Sequence, residues 1–208
     1  MSLSSCCVIV FAKRPVLGEV KTRLAKKTGK GNAVRIYKAM LQTLLAKLSS
    51  QNTCNVELWC YPDAKHPFLR KCASQYGVVL KRQRGKDLGM KMGRALKLSL
   101  KKYKTCILVG TDIPDIDCKD INVSHELLNQ GNDLVILPTF DGGYGLIGMQ
   151  RHMPFLFRNI AWSTARVMKQ TLHKVEKSGL RYCLLERKMD IDTKEDLANY
   201  QFARGVKL

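Results

Sequence analysis

Apolar, β-branched runs alternate along the chain with stretches of helical periodicity, and this alternation predicts a mostly parallel sheet covered by helices. The predicted strands are Cys6 to Ala12, Val56 to Tyr61, Val78 to Gln83, Thr105 to Gly110 and Asp133 to Pro138, with shorter ones at Tyr144 to Met149 and Arg181 to Leu185. Helices fill most of the gaps. The clearest run from Ala33 to Leu48, from Leu88 to Tyr103 and from Thr164 to Lys177; in the first, Ile36, Met40, Leu44, Leu45 and Leu48 share one side. No repeat or low-complexity linker interrupts the pattern. The expectation is an α/β fold, a three-layer α/β/α sandwich, formed as one domain over residues 1–208.

Composition narrows the class. Hydrophobic residues make up 45% and charged residues 25% of the 208, and no apolar run approaches the roughly 20 residues that span a bilayer. The N-terminus carries no basic leader or small-residue cleavage site, so a secretory signal is not expected. Cys6, Cys7, Cys106 and Cys183 lie in or beside apolar runs and no C-x-x-C pair occurs, which predicts buried free thiols, a cytoplasmic setting and neither zinc nor iron–sulfur ligation. The 36 basic against 17 acidic residues give a net charge of +19, which attracts anions: nucleotides, phospholipid headgroups or nucleic acid. The cations are spread along the chain in no single tail or stripe, so charge alone does not choose among these.

In open α/β sheets ligands sit at the carboxyl ends of strands, and the unusual residues cluster there. After the first strand comes Lys13-Arg14-Pro15-Val16-Leu17-Gly18-Glu19-Val20-Lys21-Thr22-Arg23, four cations around a rigid Pro15 and a permissive Gly18. Backbone N–H groups at a turn, a lysine and an arginine fork are what a diphosphate needs, although neither a Walker A loop nor G-x-G-x-x-G is present. After the fourth strand, Gly110-Thr111-Asp112 places a carboxylate suited to a hard divalent cation, Mg²⁺ or Mn²⁺, with Asp115 and Asp117 as caps of the next helix. Thr139-Phe140-Asp141-Gly142-Gly143-Tyr144 follows the fifth strand, where Asp141 offers an acceptor and Tyr144 an aromatic face; a plain Asp-Gly hairpin turn is the competing reading. Asp190 and Asp192 alternate in an extended segment, so both face one side and either could complete a metal site, while Thr193 with Asp196 fits a capping box. Asp87, in Arg84-Gly85-Lys86-Asp87-Leu88, is a helix cap or a nucleotide-facing group, Ser163 is a natural N-cap, and Trp162 either packs or stacks on a ligand. The four histidines form no metal or triad pattern.

Taken in order, F-A-K-R-P-V-L-G-E-V-K-T-R-L, D-L-G-M-K-M, G-T-D-I-P, P-T-F-D-G-G-Y-G-L-I-G, W-S-T and D-I-D-T-K-E-D-L resemble the bacterial DUF2064 family, also called selenodomain-associated transferase 1. The resemblance runs from about Phe11 to Leu197. It implies a GT-A, nucleotide-diphospho-sugar transferase type of fold, with Lys13, Lys21 and Arg23 at the phosphates among the nucleotide-binding positions Pro15, Gly18, Thr22, Asp87 and Gly110. It further implies Asp112 as leading metal ligand with Asp190 or Asp192 beside it, and Asp141 as the base or acceptor contact. The chain departs from the family pattern at Met90, Lys91 and Gly145, which bears on acceptor or nucleotide specificity.

The expected function is therefore metal-dependent transfer from a nucleotide-activated donor to an unknown acceptor, foremost glycosyl transfer from a nucleoside diphosphate sugar. Lys21, Arg23 and Asp141 would carry the chemistry. The alternative is a guanylyltransferase-like nucleotidyl transfer that releases pyrophosphate, since enzymes acting on phospholactate-like acids share the K-[TS]-R-L loop. A nonenzymatic nucleic-acid binder explains the charge but not the acidic loops, and the positive surface also suits peripheral contact with anionic membrane.

Overall fold

The computed structural model describes residues 4–50 and 53–204. Its seven strands are β1 (Ser4–Lys13), β2 (Asn55–Tyr61), β3 (Val79–Arg82), β4 (Tyr103–Val109), β5 (Leu134–Pro138), β6 (Tyr144–Met149) and β7 (Tyr182–Leu184). Between and after them lie α1 (Thr22–Thr28), α2 (Lys30–Ser49), α3 (Pro67–Tyr76), α4 (Leu88–Ser99), α5 (Cys118–Asn129), α6 (Val167–Lys177) and α7 (Lys194–Arg204), with a 3-10 turn at Pro154–Phe157. The strands form one sheet in the order β3-β2-β1-β4-β6-β5-β7. All pairings are parallel except those of β6, which runs against both β4 and β5.

The period of two along β1 builds the three layers. Cys6, Val8, Val10 and Ala12 join Leu41, Leu44 and Leu45 of α2, Leu69 of α3 and Ile121 of α5 in one core. Cys7, Ile9 and Phe11 join Met92 and Leu96 of α4, Leu156 of the 3-10 turn and Val175 of α6 in the other. With β1 buried on both faces, its run is continuously apolar, as a central parallel strand requires. A third cluster, Leu24, Ile36, Met40, Ile191 and Leu197, fastens α1 and α2 to the C-terminal segment.

Local chemistry sets the helix starts. Asp87 caps α4 by accepting from the Met90 N–H at 2.7 Å, and Asp117 with Asp120 forms a reciprocal capping box on α5. Thr193 and Asp196 do the same at α7, each accepting from the other's N–H, and Asp196 also takes the Asp192 N–H.

Several expectations are corrected. Asp117 alone caps α5; Asp115 instead accepts from the Tyr200 hydroxyl at 3.1 Å. The α4 helix stops at Ser99, because Tyr103 already belongs to β4 beside Ser4 of β1. Helix α6 begins at Val167 with Arg166 as N-cap, since Ser163 takes a left-handed φ of 62° and Thr164 accepts from the Arg166 N–H instead. Cys6 is not a free thiol: it is bonded to Cys54. Parallel register sets Cys7 against Asn55, so the preceding pair meets across the sheet, a proximity that sequence spacing does not reveal. Cys7, Cys60, Cys72, Cys106, Cys118 and Cys183 are free. Among the described residues no helix is long and apolar enough to cross a membrane.

Candidate functional site

The chain leaves β1 to one side for β2 and β3, and β4 lies on the other side, so a crevice opens above the carboxyl ends of β1 and β4, as the switch-point rule anticipates. The cleft there has a volume of about 680 Å³. Its floor is the end of β1, and its walls come from the first loop, Gly110 to Asp112, the Asp141 hairpin, Trp162 to Thr164 and Asp192. A smaller recess of about 140 Å³ adjoins it, bounded by Asp112, Asp141, Asp190 and Asp192.

Residues from distant segments meet here through backbone pairing. Beyond β7 the chain continues along β5: Leu185 N–H donates to Ile136 O, Lys188 N–H to Pro138 O and Ile191 N–H to Asp112 O, the last at 2.9 Å. That final bond lays Asp190 and Asp192 beside the loop after β4. Lys21 closes the ring. Its side chain is only 2% exposed and its ammonium forms ion pairs with Asp112 and Asp192, while donating to the Ile191 carbonyl at 2.5 Å. The residue has φ 47°, ψ 45°, a left-handed conformation unusual for lysine, at the head of α1. Arg23 approaches Asp192 at 3.9 Å but remains 70% exposed.

Lys13, Lys21, Thr22, Arg23 and Gly110 therefore line the cleft, together with Asp112, Asp141 and Asp192; Asp190 borders the recess. Three expected nucleotide contacts stand elsewhere. Pro15 is buried and Gly18 takes φ 81° in open space, so both shape the loop, and Asp87 is an exposed helix cap. Arg14 forks onto Glu19 through two bonds of 2.7 Å and does not line the cleft.

Asp141 is held by its own turn, as the hairpin reading supposed. Its Oδ1 accepts from Thr139 Oγ1 at 2.6 Å and from the Gly143 N–H at 2.9 Å, which leaves Oδ2 to the cleft. Gly142, at φ 86°, lies where a Cβ would strike the Ala165 carbonyl, and its own carbonyl receives the Met168 N–H at 2.9 Å, so α6 is docked on this turn. Asp190 is pushed up to about 6 by burial first and then by the negative charge of Asp141, with Asp192 and Asp196 adding to it. Trp162 meets Tyr144 edge to face at 6.4 Å, and both border the cleft.

Two lining residues carried no sequence signal. Tyr37 of α2, read only as part of an apolar helix, accepts from the Lys13 N–H at 2.7 Å and donates to the Lys13 carbonyl at 3.0 Å, which clamps the start of the basic loop. Burial raises its phenol above the ordinary range, so it stays a donor. Gln83, 7% exposed, turns its amide N–H groups onto the carbonyls of Ala12 and Trp59.

The oxygen donors around the recess suit a hard divalent cation. Among the described residues no group of three or more His, Cys, Asp or Glu is placed to hold a metal ion. The arrangement fits the mode in which one or two carboxylates grip Mg²⁺ or Mn²⁺ and substrate phosphates complete the shell.

A guanylyltransferase of Phenylobacterium zucineum that acts on 3-phospho-D-glycerate is 26% identical over 201 residues, 94% of this chain and 89% of that protein. The crystal structure of a protein assigned as a nucleotide-diphospho-sugar transferase from Desulfovibrio desulfuricans G20 superposes with a TM-score of 0.89 at 31% identity, covering 97% of this chain and 88% of that one. Glucosyl-3-phosphoglycerate synthase from Mycobacterium tuberculosis, solved with Mn²⁺, UDP and its glucosylated product, shares the fold at a TM-score of 0.56 and 10% identity, covering 99% of this chain and 81% of that one. The fold is thus that of nucleotide-diphospho-sugar transferases and nucleotidyltransferases, and the relatives are transferases. A family profile matches residues 44–164, and with the motifs and the shared fold it establishes that the chain belongs to DUF2064, the uncharacterized proteins conserved in bacteria.

Proposed function

We propose that residues 1–208 act as one nucleotide-dependent transferase domain and that the group transferred is a nucleotidyl group, from a nucleoside triphosphate to a small hydroxy acid. The observation that carries the reading is the meeting of Lys21 with Asp112 and Asp192, which joins the basic loop and the acidic segments in one cleft. The choice of nucleotidyl transfer is supported by the P. zucineum guanylyltransferase, which aligns over nearly the whole chain.

In this mechanism Lys13, Arg23 and the first-loop backbone bind the triphosphate and orient its α-phosphorus toward the acceptor hydroxyl. Asp141 Oδ2, the oxygen its turn leaves unengaged, takes the proton as the acceptor oxygen bonds to phosphorus and the bond to pyrophosphate breaks. Asp112, with Asp190 or Asp192, would hold a divalent ion, which when bound offsets charge on the leaving pyrophosphate. Trp162 and Tyr144 line the same cleft.

Glycosyl transfer is the second reading, favoured by the similarity to the D. desulfuricans protein. One assay separates them. With GTP, 3-phospho-D-glycerate and Mg²⁺ or Mn²⁺, nucleotidyl transfer yields one pyrophosphate per nucleotide consumed. Release of a nucleoside diphosphate from sugar nucleotides, with no pyrophosphate from any triphosphate, would replace it with the glycosyl reading.

A further inference from the structure

Lys21 is the residue whose surroundings least resemble its expected role. An ammonium carries three N–H donors, and here it donates to Asp192 Oδ1 and the Ile191 carbonyl while ion-paired with Asp112 Oδ1. It is thus engaged by the protein itself. Arg23, two residues on, is its opposite: 70% exposed and only loosely placed at 3.9 Å from Asp192. The left-handed backbone at Lys21 is of the kind retained only where the surroundings over-determine it. What over-determines it is a pair of carboxylates from segments far apart in sequence, which repel each other unless a positive charge stands between them.

We infer that Lys21 is the chain's own cation at the position a divalent metal would take between Asp112 and Asp192: a positioning residue that keeps the two carboxylates converged before the metal arrives and competes with it for them. Held by Asp112 and Asp192, a metal would supply the charge between them that Lys21 now supplies, and Lys21 would then be free to donate to a phosphate. The inference rests on the metal-using reading above, but its test needs neither donor nor acceptor, so the two can fail separately.

The probe is Mn²⁺ alone, titrated into nucleotide-free protein and followed by loss of the free-ion electron paramagnetic resonance signal. Lys21→Met, similar in length and without charge, is expected to bind Mn²⁺ at least tenfold more tightly than the wild type and to gain more thermal stability from the ion. Unchanged, weaker or absent Mn²⁺ binding in the variant overturns the inference, whatever the pyrophosphate assay reports. Should the variant not fold, the wild type decides: amine acylation read by mass spectrometry is slow at buried Lys21 without metal and must accelerate at that residue when Mn²⁺ is added. An unchanged Lys21 acylation rate refutes the displacement.

Discussion

The two halves of the sheet contribute opposite charges to one edge. The half ordered β3-β2-β1 is parallel throughout, and from its end comes the basic loop Lys13 to Arg23, drawn against Tyr37 at its start and against Asp112 and Asp192 near its finish. The half ordered β4-β6-β5-β7 contains the antiparallel strand and supplies Asp112, Asp141, Asp190 and Asp192. The inserted β6 explains why these acids share an edge. Because β6 opposes both neighbours, β5 runs in the direction of β4, so the hairpin carrying Asp141 turns at the same end at which β4 delivers Asp112. Strand β7 is parallel to β5 and sends Asp190 and Asp192 out there too. The cationic loop and the acidic segments are thus separated in sequence and joined by topology.

The most forceful way to break this division is at the acidic half. Asp112→Asn keeps the shape but removes the charge facing Lys21, and transfer is expected to fall by roughly 10²–10³-fold in kcat/KM, the range seen when a single electrostatic group is lost. A rate within threefold of wild type, with circular dichroism unchanged, would show that the acids are not needed together. The hairpin offers the next largest effect. Gly142→Ala must place a methyl on the Ala165 carbonyl from a positive φ, and a loss of about 3 kcal/mol in unfolding free energy is expected. Urea denaturation with a midpoint close to wild type would mean that the Asp141 turn and α6 are not locked as described.

The smallest effect sharpens the comparison through pH. Asp190 titrates near 6 in the folded protein against an ordinary 3.8, so the folded state holds the extra proton and stability falls as pH rises through that window. Asp190→Asn removes the penalty. In metal-free protein it should stabilise above pH 6 by on the order of 1 kcal/mol, discounted because the group is half exposed. Below about pH 4, where Asp190 is protonated in both states, it should change little. Thermal melts at the two extremes that shift equally would remove the crowding of carboxylates as the cause.

Much of this was legible before the structure. Each of the seven strands lies within two residues of its predicted bounds; in the central β1, β4 and β5 this follows because a strand buried on both faces needs an uninterrupted apolar run. Asp87, Asp117 and the Thr193–Asp196 pair cap as their local spacing demands, since caps are contacts within one turn. The misses share a different cause. Ser163 resembled an N-cap but adopted φ 62°, and Pro15 and Gly18 marked a turn whose orientation the sequence did not specify. Tyr37 and Gln83 entered the cleft from elements whose periodicity spoke only of packing.

The chain's alternation and caps were sufficient for an α/β sheet covered by helices, because those features depend on neighbours a few residues away, and its strand-end motifs carried the resemblance to DUF2064. Pairing Cys6 with Cys54, setting Lys21 onto two aspartates, and crowding Asp190 against Asp141 needed the assembled sheet. Such contacts depend on register and strand direction between remote segments, and on the burial that makes a charge seek its counterpart; neither quantity exists until the backbone has closed around them.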